Sequence, residues 1–150
     1  EAGYVAYPRD AFDKYLGRNG VAYVERSKLE PAEAVRLLSS NGALPVMAHP
    51  TYSEAKSDRG GVPSLRETIS ELKRGGLIGM EVFYGDYTPD QVSYLHGIAT
   101  ELDLVPCGGS DYHASGNPDE PQPGTVGPPK STVERLAKIK GTAAYQRASS

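Results

Sequence analysis

Apolar positions in this chain fall in short runs bounded by turn residues, and the runs alternate between helical and extended periods. Phe12, Tyr15 and Leu16 form a helical stripe, with Asp10 as its N-cap and Gly17 and Gly20 as its stop. Val21 to Arg26 reads as a short extended piece. Pro31 fits a first helical position, Val35 and Leu38 face a core, and Asn41-Gly42 ends that helix. Ala43 to Ala48 is an apolar run without alternation, as in a buried parallel strand, although Pro45 removes one ladder donor.

The second half repeats the alternation. Residues 51 to 63 form a polar loop long enough to be a binding loop or a disordered tip. Ser64-Leu65-Arg66-Glu67 is a capping box, with Leu65, Ile69 and Leu72 as the buried stripe and Gly75-Gly76 as the stop. Leu77 to Phe83 is a strand that carries Glu81. Thr88-Pro89-Asp90-Gln91 opens another helix, whose face holds Val92, Leu95, Ala99 and Leu102. Leu104 to Cys107 is a third strand. A loop with five prolines and three glycines spans 114 to 130. Ser131-Thr132-Val133-Glu134 caps a last helix, with Val133, Leu136 and Ala137 apolar, and 141 to 150 reads as a frayed tail. The order helix, strand, helix, strand, helix, strand, helix predicts α/β architecture with parallel strands and right-handed crossovers.

Composition narrows the picture. At 150 residues the chain has the size of one domain. A net charge of -3 gives no extended nucleic-acid surface, although a small site can still hold a phosphate. No apolar stretch approaches the roughly 20 residues of a membrane span. Cys107 is the single cysteine, so there is no disulfide framework, and a reducing, cytoplasmic setting is expected.

The candidate chemistry follows the strands. Pro45-Val46-Met47-Ala48-His49-Pro50 delivers an imidazole at one strand end, with Pro50 fixing the backbone just after it. Leu104-Val105-Pro106-Cys107 runs into Gly108-Gly109-Ser110-Asp111-Tyr112-His113, where two glycines would let the chain turn tightly. In extended chain Asp111 and His113 point the same way, so both could reach one cation. His49, Asp111 and His113 are therefore the predicted metal ligands. Such a donor set suits Zn²⁺, Mn²⁺ or Fe²⁺, with Mg²⁺ as the remaining option. Glu81 needs a partner in a buried strand: an internal hydrogen bond or ion pair, or an imidazole that it orients. Ser110 reads as a loop or phosphate hydrogen bonder, and His96 as a structural histidine on its helix. Neither a nucleophile elbow nor a Walker or dinucleotide loop is present.

Ala48-His49-Pro50, Gly79-Met80-Glu81-Val82-Phe83-Tyr84 and Gly108-Gly109-Ser110-Asp111-Tyr112-His113 resemble the later motifs of the PHP (polymerase and histidinol phosphatase) superfamily, in particular its nucleotide-acting phosphoesterases. The similarity runs from about Ala11 to Leu136. It implies part of a distorted (β/α)7 barrel over 28 to 140, with 1 to 27 as the end of an inserted cap subdomain. It also implies a metal cluster to which His49, Asp111 and His113 belong, with Asp111 in the catalytic role, and hydrolysis of phosphate esters of nucleotides or short oligonucleotides. Arg9, Lys14 and Arg18 become candidates for phosphate contact.

The family's earlier His-x-His motif is absent. The chain is thus expected to be the C-terminal portion of such an enzyme, inactive or very weak by itself, with exposed barrel edges that favour homo-oligomers. A metal-dependent amidohydrolase on a similar barrel and a non-catalytic half-barrel module remain open alternatives.

Overall fold

A computed structural model describes residues 3–25, 27–52, 64–115 and 118–142. Two compact units emerge, Glu1–Leu29 with Tyr112–Glu120, and Glu30–Asp111 with Pro121–Ser150.

The larger unit contains a three-stranded parallel sheet in the order β1-β2-β3: β1 Val46–Met47, β2 Gly79–Tyr84 and β3 Val105–Gly109. Helices α2 (Pro31–Ser40), α3 (Leu65–Arg74), α4 (Pro89–Glu101) and α5 (Ser131–Lys140) alternate with the strands. The α/β order read from the pattern is therefore the observed one, for the reason that apolar runs of two different periods must pack on each other. Leu65, Ile69 and Leu72 of α3 meet Met80 and Val82 of β2 and Leu95, Ile98 and Ala99 of α4 in one core. Each such buried aliphatic side chain contributes about 1.5–3 kcal/mol.

Both internal capping boxes form. The Ser64 hydroxyl accepts the Glu67 N–H while the Glu67 carboxylate accepts the Ser64 N–H, and Thr88 and Gln91 do the same at α4. The Ser64 N–H and the Ser64 hydroxyl, which also donates to this carboxylate at 2.8 Å, hold the Glu67 carboxyl below its ordinary value. At the other end of α4, Asp103 takes the left-handed conformation (φ 49) that glycine usually fills at a helix end.

Several expectations are corrected. Strand β1 is two residues long rather than six, because Pro45 cannot donate to the ladder; its carbonyl instead accepts the N–H groups of Ile78 and Gly79. Leu38 stays 46 % exposed, and Val35 is the residue of α2 that is buried. No side chain caps α5. Thr132 turns inward and donates to the Pro106 carbonyl of β3 at 3.0 Å, so Thr132 is buried while Val133 and Ala137 are exposed.

Gly108 and Gly109 do not make the turn; they belong to β3, paired with Phe83 and Tyr84. The pairing skips Val82, a bulge in β2 beside Glu81. There the strands close up so far that a Cβ on Gly108 would lie 1.9 Å from the Phe83 carbonyl oxygen.

In the smaller unit, helix α1 (Pro8–Ala11) runs into a π-turn at Phe12–Leu16, closed by the Gly17 N–H on the Phe12 carbonyl at 2.7 Å. Asp10 lies inside α1 and not before it. Its carboxylate reaches back to the Tyr7 N–H at 3.2 Å, half of a capping box. Phe12, Tyr15 and Leu16 are exposed, and residues 21–25 form turn and irregular chain rather than a strand. Of the loop expected over 51–63, Thr51 and Tyr52 belong to a short 3-10 turn, Pro50–Tyr52, and 53–63 lie outside the described residues, as does the expected tail over 141–150 from 143 on.

Candidate functional site

Parallel strands put their carboxyl ends side by side, and the candidate residues of the larger unit gather there. His49 follows β1, Glu81 sits on the central strand β2, and Asp111 follows β3.

His49 has φ 45, a left-handed backbone costing an ordinary residue about 1–2 kcal/mol. It also precedes a proline, which favours extended chain. What holds it is Glu81. The Glu81 Oε2 accepts the His49 main-chain N–H at 2.7 Å and lies 3.3 Å from His49 Nδ1. Glu81 is buried, so the strong main-chain hydrogen bond answers the question its sequence position raised. The Tyr84 ring stands edge-on to the imidazole at 5.4 Å, with Tyr87 edge-on to Tyr84 at 5.1 Å. Pro50 behind the histidine is fully buried. One residue is thus fixed by a hydrogen bond, an aromatic wall and a buried proline together.

Asp111 is the second left-handed residue of the site, with φ 55. Its Oδ2 lies 3.6 Å from His49 Nε2. That is too long for a good hydrogen bond. It is the separation of two donors that each stand about 2.0–2.2 Å from a common ion. Imidazole nitrogen with carboxylate oxygen also suits the first-row divalent metals. This pair fits one edge of a metal's coordination shell. Among the described residues no group of three or more His, Cys, Asp or Glu side chains is placed to hold a metal ion. Non-glycine residues held left-handed concentrate where function requires them, and two of the four among the described residues are His49 and Asp111. Ser110, between β3 and Asp111, is buried.

The turn at Asp111 also removes the premise that put Asp111 and His113 on one side of an extended strand. His113 belongs to the smaller unit and is exposed. Its main-chain N–H donates to Glu120 Oε1 at 2.5 Å, while Glu120 Oε2 accepts the Ser115 N–H at 2.9 Å and the Ser115 hydroxyl at 3.0 Å. Burial pushes the Glu120 carboxyl up, but the donors of His113 and Ser115 and the charge of His113 outweigh it and hold it below its ordinary value. Sequence reading passed over Glu120. Its only signal was an acidic residue in a proline-rich loop, and its partners are main-chain groups that carry no sequence signature.

Other candidates stay in the background. Burial pushes the Cys107 thiol up, away from a reactive thiolate. His96 is exposed on α4, with Nδ1 3.4 Å from the Thr100 hydroxyl. Arg9 approaches Asp13 at 3.9 Å on the surface, and Lys14 and Arg18 are exposed. No described helix is long and apolar enough to cross a membrane.

The chain is similar to known proteins in sequence and in fold. The chain is 29 % identical over 113 residues to a 5'-3' exoribonuclease of Haemophilus influenzae, covering 75 % of this chain and 39 % of that protein. It is 27 % identical over 105 residues to a phosphoribosyl 1,2-cyclic phosphate 1,2-diphosphodiesterase of Eggerthella lenta, covering 70 % and 36 %. Its fold matches a crystal structure from Bifidobacterium adolescentis assigned as a metal-dependent phosphoesterase, with TM-score 0.69 and 25 % identity over 89 % of this chain and 44 % of the other. It also matches an amidohydrolase of Chromobacterium violaceum, with TM-score 0.60 and 23 % identity over 88 % and 44 %. No family model matches the chain. The chain spans about two fifths of the length of the curated relatives it matches, and its relatives and neighbours are hydrolases, two of them acting on phosphodiesters and one assigned to phosphoesters.

Proposed function

We propose that the chain is the C-terminal part of a metal-dependent phosphoesterase of the PHP type, acting on phosphate esters of nucleotides or short oligonucleotides. His49, Asp111 and His113 are its metal ligands in this reading, and the remainder of the cage and of the barrel comes from other chain. Residues 1–27 are the end of an inserted cap subdomain in this reading, with Arg9, Lys14 and Arg18 as candidates for phosphate contact.

The observation that carries the reading is the 3.6 Å approach of His49 Nε2 and Asp111 Oδ2 at neighbouring strand ends. When bound, a divalent ion supplies charge against a phosphoryl oxygen and a water of lowered pKa. The chain's own residues prepare for it. Glu81 Oε2 faces the ring at Nδ1, 3.3 Å away, and Asp111 Oδ2 faces it at Nε2. Asp111 contributes a negative oxygen that is open to solvent. Ser110, buried just after β3, precedes the left-handed Asp111.

The test is metal content by elemental analysis together with hydrolysis of a generic phosphomonoester, for this chain and for one extended upstream. Bound Zn²⁺, Mn²⁺ or Fe²⁺ that is lost in His49→Ala and Asp111→Ala is expected, with hydrolysis in the extended chain. Metal content unchanged by both substitutions defeats the reading and favours a non-catalytic module. The fold likeness to an amidohydrolase keeps a second reading in view, for which cleavage of C–N bonds without cleavage of phosphate esters would be the sign.

A further inference from the structure

We propose that the groove on α4 beside Tyr87 is a nucleobase subsite, holding the base of a substrate whose phosphate lies at His49 and Asp111. The inference rests on the reading of the chain as part of a nucleotide-acting phosphoesterase. Tyr87, Pro89, Val92, Ser93 and His96 line a groove of about 470 Å³. That size is within the range of small-molecule sites, roughly 300–1,000 Å³. All five residues belong to the larger unit, as do His49 and Asp111.

The groove adjoins the candidate site. Tyr87 stands between β2 and α4, past the carboxyl end of the central strand, the side on which His49 and Asp111 also lie. Its ring is 5.1 Å from that of Tyr84, and the Tyr84 ring is 5.4 Å from the His49 imidazole. Two ring contacts therefore separate groove and site, a spacing on the scale of one nucleotide. The capping box of Thr88 and Gln91 starts α4 directly after Tyr87. Pro89, Val92, Ser93 and His96 then fall on one stripe of the helix, at helical spacings of three and four residues.

The lining suits a flat, uncharged ring. Tyr87, Pro89 and Val92 supply an apolar wall, and Ser93 and His96 supply polar atoms for a base edge. Serines inside helices often return their hydroxyl to the carbonyl four residues back, as Ser70 does to Arg66 at 2.8 Å. The Ser93 hydroxyl makes no such bond, nor any other among the described residues. No lysine or arginine lines the groove, and Asp90 adds negative charge to the first turn of α4. A phosphate is thus disfavoured there, and the neutral end of a nucleotide is what fits. Stacking on an aromatic side chain tolerates any base.

The experiment titrates the 150-residue chain, labelled with ¹⁵N, with adenosine 5'-monophosphate, ribose 5-phosphate and adenosine, reading affinities and amide shifts by NMR. The variants are Ser93→Leu, Tyr87→Ala and Tyr87→Phe. The nucleotide is expected to bind roughly 5- to 150-fold more tightly than ribose 5-phosphate, the worth of one stacked base, with shifts gathered at residues 87–96. Ser93→Leu fills the groove and removes that advantage without changing ribose 5-phosphate binding. Tyr87→Ala removes it as well, and Tyr87→Phe, which keeps the ring, restores it. If Tyr87→Ala unfolds the chain, Ser93→Leu, at an exposed position, carries the comparison.

Equal affinity for nucleotide and ribose 5-phosphate overturns the subsite and leaves the phosphoesterase reading standing. So does a Ser93→Leu chain that keeps the advantage of the nucleotide. Absence of shifts at 87–96 with all three probes also overturns the subsite. Adenosine bound in the groove as tightly as its monophosphate supports the subsite and counts against the phosphate at His49 and Asp111.

Discussion

A single carboxylate oxygen of Glu81 serves His49 twice, accepting its main-chain N–H at 2.7 Å and facing its ring Nδ1 at 3.3 Å. The first contact restrains a left-handed backbone, and the second sets the carboxylate against the ring at Nδ1 while Asp111 faces Nε2. Glu81→Ala should therefore cost stability and metal binding together. Loss of a hydrogen bond to a buried charged group is worth about 1.5–3 kcal/mol, read by urea unfolding. Metal affinity should fall about 10- to 100-fold by chelator competition. Glu81→Gln keeps an acceptor oxygen without the charge and should lose less of both. Unchanged stability and affinity in Glu81→Ala would show that the contact is incidental.

Gly108 is required by space and not by turn geometry. With the Phe83 carbonyl oxygen 1.9 Å from where a Cβ would stand, Gly108→Ala must part β2 from β3 at the bulge beside Glu81. The expected cost is about 3 kcal/mol, at the upper end of overpacking. The neighbouring Gly109→Ala meets nothing within 4 Å and should cost much less. Thermal midpoints of the two variants decide the point, and equal midpoints would contradict the register.

The three helix starts should respond differently to the same substitution. Ser64→Ala and Thr88→Ala each remove a formed cap and should lose about 1 kcal/mol. Ser131→Ala should be close to neutral, since Lys130 occupies the N-cap of α5 and no side chain caps it. Chemical denaturation of the three variants separates them.

Glu67 also gives α3 a dependence on pH. Its carboxyl is lowered in the folded chain by the main-chain and hydroxyl donors of Ser64. Its contribution is complete above the unfolded value of 4.5 and is lost as pH falls below that value and through the lower folded one. In Glu67→Gln, which keeps a capping acceptor but cannot titrate, the acid-side loss of stability should be smaller than in wild type. Unfolding midpoints measured from pH 6 down to about pH 3 check the sign.

Leu37, Leu38 and Val46 are 52 %, 46 % and 40 % exposed on α2 and β1. Such a concentration of apolar surface with an edge strand favours association. Sedimentation velocity should show concentration-dependent self-association, reduced by Leu37→Lys with Leu38→Lys. A monomer at all concentrations would count against the expected exposed edge.

Local signals were legible wherever the deciding partner lies within a few residues. Ser64 with Glu67 and Thr88 with Gln91 are three apart, and both capping boxes could be read directly. Ser131 with Glu134 has the same spacing, yet Thr132 is drawn inward by the Pro106 carbonyl of β3, a partner 26 residues away. The same limit explains Leu38, Gly108 and Glu120. Helical spacing put Leu38 on an apolar face but could not say whether anything covers it. A glycine pair marks close approach and tight turn alike, and only the distance to Phe83 tells them apart.

By itself the sequence determined the alternation of helices and parallel strands, the apolar core of α3, β2 and α4, and the positions at strand ends where His49 and Asp111 stand. Those follow from periodicity and from side-chain chemistry, which are properties of neighbouring residues. Tertiary structure alone decided that β1 is short, that β2 bulges beside Glu81, that His49 and Asp111 are held left-handed 3.6 Å apart, and that Glu120 ties the chain at His113. Each of these is an encounter between atoms distant along the chain or turned by backbone strain, and no one-dimensional pattern encodes such a meeting.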